Sequence, residues 1–199
     1  AELDAIKQAQ SKNIPIIGFD SGVPGAPEGA IKATASTDNH AAGGNAAEHL
    51  FSLLEKKIGD KKVRIGVVSQ EVNSLSITQR TSGFIDKMVE LLNKKGIKTA
   101  VTGHDKFKND VNEADAKVVI EVRVPAQVDD AAGKTEASTV LEKEDTVAIY
   151  GSNEFAAKAI INANGGFKES KLGADKILAV GFDSGALQQD AIRKGIFVG

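Results

Sequence analysis

The pentapeptide Gly-Phe-Asp-Ser-Gly occurs twice in this chain, at residues 18–22 and 181–185, each time directly after a short apolar run, Ile14-Pro15-Ile16-Ile17 and Ile177-Leu178-Ala179-Val180. Apolar runs of strand length with no polar alternation are expected of parallel strands covered on both faces. In open α/β sheets, ligands gather at the carboxyl ends of such strands. Each Asp therefore falls at a crevice, and each glycine permits the chain a sharp exit. Asp20 and Asp183 thus occupy equivalent places on two similar α/β units, which one ligand clamped between two lobes explains.

Elsewhere helical and strand signals alternate. Leu3–Ser11 reads as a short amphipathic helix, residues 23–30 as a Pro/Gly-rich loop and 31–36 as a short strand. Asp38 or Asn39 can cap a helix running to about Lys57, with Ala46, Leu50, Leu53 and Leu54 along one side. Val63–Ser69 is a buried strand. Ser76 or Thr78 opens a helix carrying Phe84, Met88, Leu91 and Leu92, which stops at Gly96 after Lys94-Lys95. Strands are expected over 97–101 and 118–124, separated by a charged, solvated excursion from His104 to Lys117. A helix then runs from Asp129-Asp130 to about Lys143, a strand over 146–150, a helix over 154–164 ended by Gly165-Gly166, and a strand over 177–182. A last helix, 186–194, precedes a strand start at Ile196-Phe197-Val198. Strand, helix, strand at these intervals means right-handed βαβ units in a doubly wound parallel sheet.

Composition removes several function classes. The chain has 199 residues, 41 % of them apolar, enough for one generous domain or two small lobes. A net charge of −2 gives no basic footprint for nucleic acid, and no polybasic stretch suits a membrane surface. Cys is absent, which excludes disulfides, thiolate metal sites and Cys nucleophiles. No apolar stretch approaches the roughly 20 residues of a spanning helix, and Ala1-Glu2-Leu3-Asp4 lacks the order of a signal peptide. An exported protein would therefore carry this chain as a processed form or an internal segment. His40 and His49 fall on opposite sides of one helix, so no metal site is expected of them. No phosphate-binding loop with its Lys-Ser/Thr and no Ser, His and acid constellation can be assembled, so neither catalysis nor a cofactor is indicated.

Five segments, in order, carry a family resemblance: Asn13-Ile14-Pro15-Ile16-Ile17-Gly18-Phe19-Asp20, Thr37-Asp38-Asn39-His40-Ala41-Ala42-Gly43, Gln79-Arg80-Thr81-Ser82-Gly83-Phe84, Tyr150-Gly151-Ser152-Asn153-Glu154 and Ala179-Val180-Gly181-Phe182-Asp183. Together they resemble the type I periplasmic sugar-binding proteins, close to the ribose binders. The resemblance covers nearly the whole chain, apart from residues 97–124, a region longer than in the ribose binders. It implies two Rossmann-like lobes that close on a sugar and hand it to an ABC transporter permease, in an exported protein of the periplasm or cell surface. Contact with the membrane would come only through the transporter or through a lipid anchor outside this segment.

By the same resemblance the first crossover between lobes falls near Ser36-Thr37-Asp38. Residues 1–37 are then the end of the first lobe and 38–199 nearly all of the second. Two βα units before Ala1 and a return segment after Gly199 would complete the pair, and the missing part would supply the aromatic residues that stack on the sugar. With its natural neighbours absent, the strand carrying Ile14, Ile16 and Phe19 should expose apolar surface, and self-association of the segment is expected.

Carried over residue by residue, Asp20 and Asp183 match the two carboxylates that accept hydrogen bonds from sugar hydroxyls, Arg80 the arginine that donates to ring and hydroxyl oxygens, and Asn153 the asparagine that both donates and accepts. A carboxylate offers about four lone-pair sites and can take two adjacent hydroxyls. Val128 stands where the ribose binders place a stacking Phe. Taken singly, each Asp could be a turn former, Arg80 a solvated helix residue and Asn153 a helix cap. Asp38-Asn39 reads as a cap at the crossover. The effector-binding core of a LacI-type repressor shares this fold and this Arg, Asn and Asp pattern and is the alternative reading. Against it, residues 185–196 resemble the final helix and strand of the binding proteins.

Overall fold

The computed structural model describes residues 2–199, so Ala1 lies outside the described residues. Two parallel sheets organise the chain. The smaller comprises β1 (Ile16–Phe19) and β2 (Ile31–Ala35), preceded by helix α1 (Glu2–Ser11). The larger has five strands in the order β4-β5-β3-β6-β7, formed by β3 (Val63–Val68), β4 (Thr99–Thr102), β5 (Val118–Arg123), β6 (Thr146–Gly151) and β7 (Leu178–Val180). All of its pairings are parallel. Helices α2 (Asn39–Leu54), α3 (Leu75–Lys94), α4 (Asp130–Leu141), α5 (Glu154–Asn164) and α6 (Ala186–Arg193) complete the fold.

The pleat decides which helices cover which face. Val63, Ile65 and Val67 of β3 join Val118, Ile120 and Val122 of β5 in a core shared with α2 and α3. Val68 and Ile149 point the other way, into a core with Ala137 and Val140 of α4 and Ile160 of α5. Helices on both faces of a parallel sheet bury its strands completely, which is why β3 and β5 read as near-continuous apolar runs.

Residues 97–117 lie at the sheet's outer edge. There β4 pairs only with β5, and the loop behind it is solvated but pinned by buried Phe107 and by Asn109. Asn109 accepts from Val101 N at 3.0 Å through Oδ1 and donates to Thr99 O at 3.1 Å through Nδ2. This amide satisfies the edge strand's outer polar groups as a neighbouring strand would. At the opposite edge, the expected strand at 196–198 is not a regular one. Gly195 turns the chain at φ +67°, after which Val198 N donates to Ala179 O and Gly181 N to Gly199 O, so two bonds cover β7 without a full ladder.

At the amino ends of the strands, buried Arg64 donates to Glu121 at 2.7 Å, Glu113 at 2.8 Å and Asp145 at 3.1 Å. Burial opposes the Arg64 charge, but hydrogen bonds to Asp145 and Glu113 outweigh it and raise its pKa. This charged cluster is stitched away from the rim where ligands bind in this architecture.

The smaller sheet departs from the reading of a strand covered on both faces. The strand begins two residues later than expected, and its residues alternate between half-buried and exposed. Ile14, Ile17 and Phe19 are exposed, Phe19 to 81 %, whereas Ile16 is half-buried because the pleat turns it with Gly18 to the inner face. We expect the 199-residue chain to self-associate through this face. Sedimentation should show a concentration-dependent larger species that Ile17→Lys with Phe19→Lys abolishes, and equal behaviour of chain and variant would sink the idea.

Candidate functional site

Carboxyl ends of the central strands meet at one rim. From β3 the chain proceeds to one side of the sheet and from β6 to the other, so the switch point lies between these neighbours. Asn153 follows β6 directly and caps α5, its Oδ1 accepting from Ala156 N at 3.0 Å. Its Nδ2 donates across the switch point to Gln70 Oε1 at 2.7 Å, just past the end of β3. Capping and a second role thus coexist in Asn153, whose side chain is almost wholly buried. Sequence reasoning does not single out Gln70. Its one signal is its place two residues beyond a buried strand.

Asp183 follows β7 by three residues, in the left-handed region at φ +69°, where Asp is better tolerated than most residues. Its Oδ2 accepts from Glu154 N at 3.0 Å, and its Oδ1 lies 3.5 Å from Arg80 Nη1. The carboxylate therefore sits at the N-terminus of α5, where partial positive charge favours an anion. Buried Gln188 shapes this turn, accepting from Gly185 N at 3.0 Å and donating to Phe182 O at 2.6 Å.

Arg80 lies in the second turn of α3 and is buried, its guanidinium 4.1 Å above the Phe182 ring. The helix begins slightly earlier than expected, at Leu75 after the N-cap Ser74. Of the crossover pair, Asp38 is the cap of α2, accepting from Ala41 N at 3.1 Å, whereas Asn39 is turned inward and accepts from Arg80 Nε at 2.7 Å. Below Arg80, Tyr150 stacks on Phe84 with ring centroids 4.1 Å apart. Burial pushes the Tyr150 phenol up, Arg80 opposing and Asp183 adding to the shift, so the ring is neutral. The hydroxyls of Tyr150 and Ser152 are buried with no hydrogen-bond partner among the described residues.

Arg80, Asn153 and Asp183 are thus brought to one rim. Asp20 stands apart from them: no hydrogen bond or ion pair joins it to the other three among the described residues. It ends β1 with the same backbone as its counterpart, φ +66°, its N–H donating to Ala35 O at 2.9 Å. The Asp of both copies of the pentapeptide therefore adopts the same left-handed backbone. Next to Asp20, Ser21 Oγ accepts from Ser76 N at 3.3 Å, and a Cβ on Gly22 would come within 2.7 Å of Leu75, so the first repeat's loop rests on the start of the helix that carries Arg80. Val128 is exposed at the turn before α4.

Chemically the rim offers an exposed carboxylate, a fork of five N–H donors partly occupied, and two amides, with neutral aromatic rings beneath. Adjacent donors and acceptors of this kind match hydroxyl groups. A groove of about 390 Å³ between α2 and α3 is less suited, because its polar groups already pair with one another, His40 with Asp86 at 3.0 Å and Lys87 with Glu90 at 2.9 Å. No group of three or more His, Cys, Asp or Glu able to hold a metal ion occurs among the described residues.

No curated protein matches the chain. Among solved structures, an ABC transporter, LacI family transcriptional regulator from Brachyspira murdochii is 33 % identical with a TM-score of 0.78, over 98 % of this chain and 60 % of that one. The periplasmic component of an ABC-type sugar transport system from Hahella chejuensis is 25 % identical with a TM-score of 0.70, over 98 % and 58 %. An ABC transporter solute binding protein from Agrobacterium vitis with bound D-fucose, 24 % identical, shares the fold with a TM-score of 0.69, over 98 % and 56 %. The chain thus spans less than two thirds of the length of each of these proteins. The family model described as periplasmic binding protein domain matches residues 1–199. With that match over its whole length and the type I fold of these neighbours, the chain belongs to the periplasmic binding protein domain family.

Proposed function

We propose that this chain is part of a solute-binding protein that captures a small hydroxylated ligand of the monosaccharide class between two lobes. Residues 1–37 end the first lobe and 38–199 form most of the second. The exported protein delivers its ligand, at the periplasm or cell surface, to an ABC transporter permease. Asp183, Arg80 and Asn153 contact the ligand from the second lobe and Asp20 from the first; the role is binding, with no catalytic step.

The observation that carries this reading is the convergence of Arg80, Asp183 and Asn153 on the rim formed by the carboxyl ends of the strands, beside the switch point. Charged and amide groups there can each exchange a water contact for a sugar hydroxyl. D-Fucose in the Agrobacterium vitis protein and the sugar transport system to which the Hahella chejuensis protein belongs support the ligand class. The Brachyspira murdochii protein is also named a LacI family regulator, which keeps the effector-binding core of a repressor as the second reading.

Calorimetry on the full-length protein tests the proposal. Titration with D-ribose, D-galactose, D-fucose and L-arabinose should give saturable heat with at least one, and silence with all four would defeat the sugar reading. Sugar-dependent retention on operator-type DNA would instead favour the repressor core.

A further inference from the structure

Asn39 begins α2 and is 3 % exposed. Because Asp38 serves as the cap, the Asn39 amide is not needed for that task and turns to the interior. Its Oδ1 accepts from Arg80 Nε at 2.7 Å, and its Nδ2 donates to Thr37 O at 3.0 Å. Chemistry fixes this orientation, since Nε–H can only donate and a backbone carbonyl can only accept.

The bond restricts what Arg80 can do to Asp183. Arginine and carboxylate groups frequently pair through two parallel hydrogen bonds, a geometry that consumes lone pairs on both carboxylate oxygens. Here only Nη1 approaches, at 3.5 Å, while Asp183 Oδ2 is occupied by Glu154 N. With Nε held by Asn39, the Nε edge of the fork is unavailable to Asp183, and Phe182 beneath the guanidinium fixes its plane. The pair stays loose, and both members keep hydrogen-bonding capacity toward the rim.

Close contact between the helices sets the reach of the amide. A Cβ on Gly83 would fall 2.0 Å from His40 O, and one on Gly43 would fall 2.2 Å from Arg80 O. Only glycines let α2 and α3 approach closely enough for so short a side chain to reach Nε.

We propose that Asn39 is a positioning residue of the ligand site, anchoring Arg80 Nε so that the Arg80–Asp183 pair remains open for ligand hydroxyls. This rests on the sugar-binding reading above. The test uses the full-length protein with Asn39→Leu, which removes the acceptor at similar volume, and Asn39→Asp, which keeps the acceptor for Arg80 Nε and gives up only the donor to Thr37 O. In the sugar-free protein, the Nε ¹H–¹⁵N signal of Arg80, assigned by its loss in Arg80→Lys, should be sharp in native protein and Asn39→Asp and broadened by solvent exchange in Asn39→Leu. For whichever of the four sugars binds, Asn39→Leu should lose about tenfold or more in affinity, the scale of one hydrogen bond to a charged group, and Asn39→Asp should stay within about threefold. An unchanged Nε signal in Asn39→Leu, or equal affinity loss in both variants, overturns the proposal. If none of the sugars binds, the sugar reading fails while the Nε signal still decides the role of Asn39. Should the leucine variant not fold, Asn39→Ala takes its place in the same measurements.

Discussion

Gly83→Ala is expected to lower the unfolding free energy by about 3 kcal/mol, the upper range for overpacking in a close-packed interior. The added methyl would meet His40 O at 2.0 Å and the adjoining backbone atoms at 2.8 and 2.9 Å. A flexible side chain could swing aside, but a helix backbone cannot, so α2 and α3 must separate. Separation uncovers the core shared by Leu50 and Leu54 of α2 with Phe84 and Met88 of α3. For a chain of this size the midpoint of thermal unfolding should fall by roughly 6–12 °C. Gly59→Ala supplies the control, because its Cβ would meet nothing within 4 Å, and its stability should stay within about 1 kcal/mol of native. Thermal melts by circular dichroism decide the matter, and a Gly83→Ala midpoint equal to that of Gly59→Ala would refute the backbone-contact argument. Since the same two helices carry Asn39 and Arg80, Gly83→Ala should also loosen the 2.7 Å bond between them and weaken ligand binding.

That glycine pair shows where sequence reasoning stops. Periodicity locates the helices and strands of the larger sheet to within a few residues, because each strand lies between two apolar layers and each helix buries one stripe. Helix α5 falls where its Asn cap and Gly-Gly stop place it, at 154–164. Duplication of Gly-Phe-Asp-Ser-Gly marks two equivalent strand ends, and the shared left-handed Asp backbone follows from the same five residues. Partners across the fold are not legible. Nothing local pairs Gln70 with Asn153, or Asn39 with Arg80, since each contact depends on which strands and helices become neighbours. Arg64 and Glu121 look like polar interruptions in apolar strands, yet they pair at 2.7 Å because adjacent strands put them on one face. Exposure of β1 is legible only through the family resemblance, which marks its neighbours as absent: an apolar run by itself states what a strand needs as cover, not whether the chain supplies it.

Asp183→Ala and Asp20→Ala in the full-length protein are each expected to weaken sugar binding by on the order of 2–4 kcal/mol, because charge-assisted hydrogen bonds are lost inside a dry cleft. In the proposed clamp, closure of two lobes is favourable only when the carboxylates find hydroxyl donors, since an unpaired charge is costly to bury. The two sites differ in what else they do. Asp183 also accepts from Glu154 N and lies against Arg80, so its removal frees a helix N-terminus and leaves the guanidinium without its counter-charge. Asp20 carries no side-chain bond among the described residues, so its effect should appear in binding with little change in stability beyond backbone strain. Both residues stand at positive φ, where Ala is strained and Asn is tolerated. Asn variants therefore separate charge from conformation: each should fold like the native protein and lose part of the affinity, less than the Ala variant loses. The 199-residue chain alone, carrying only one of the proposed lobes nearly whole, should bind far more weakly than the full-length protein. Calorimetry across the full-length protein, the chain and the four variants reads these differences, and near-equal affinities throughout would rule out a clamp built from the two aspartates.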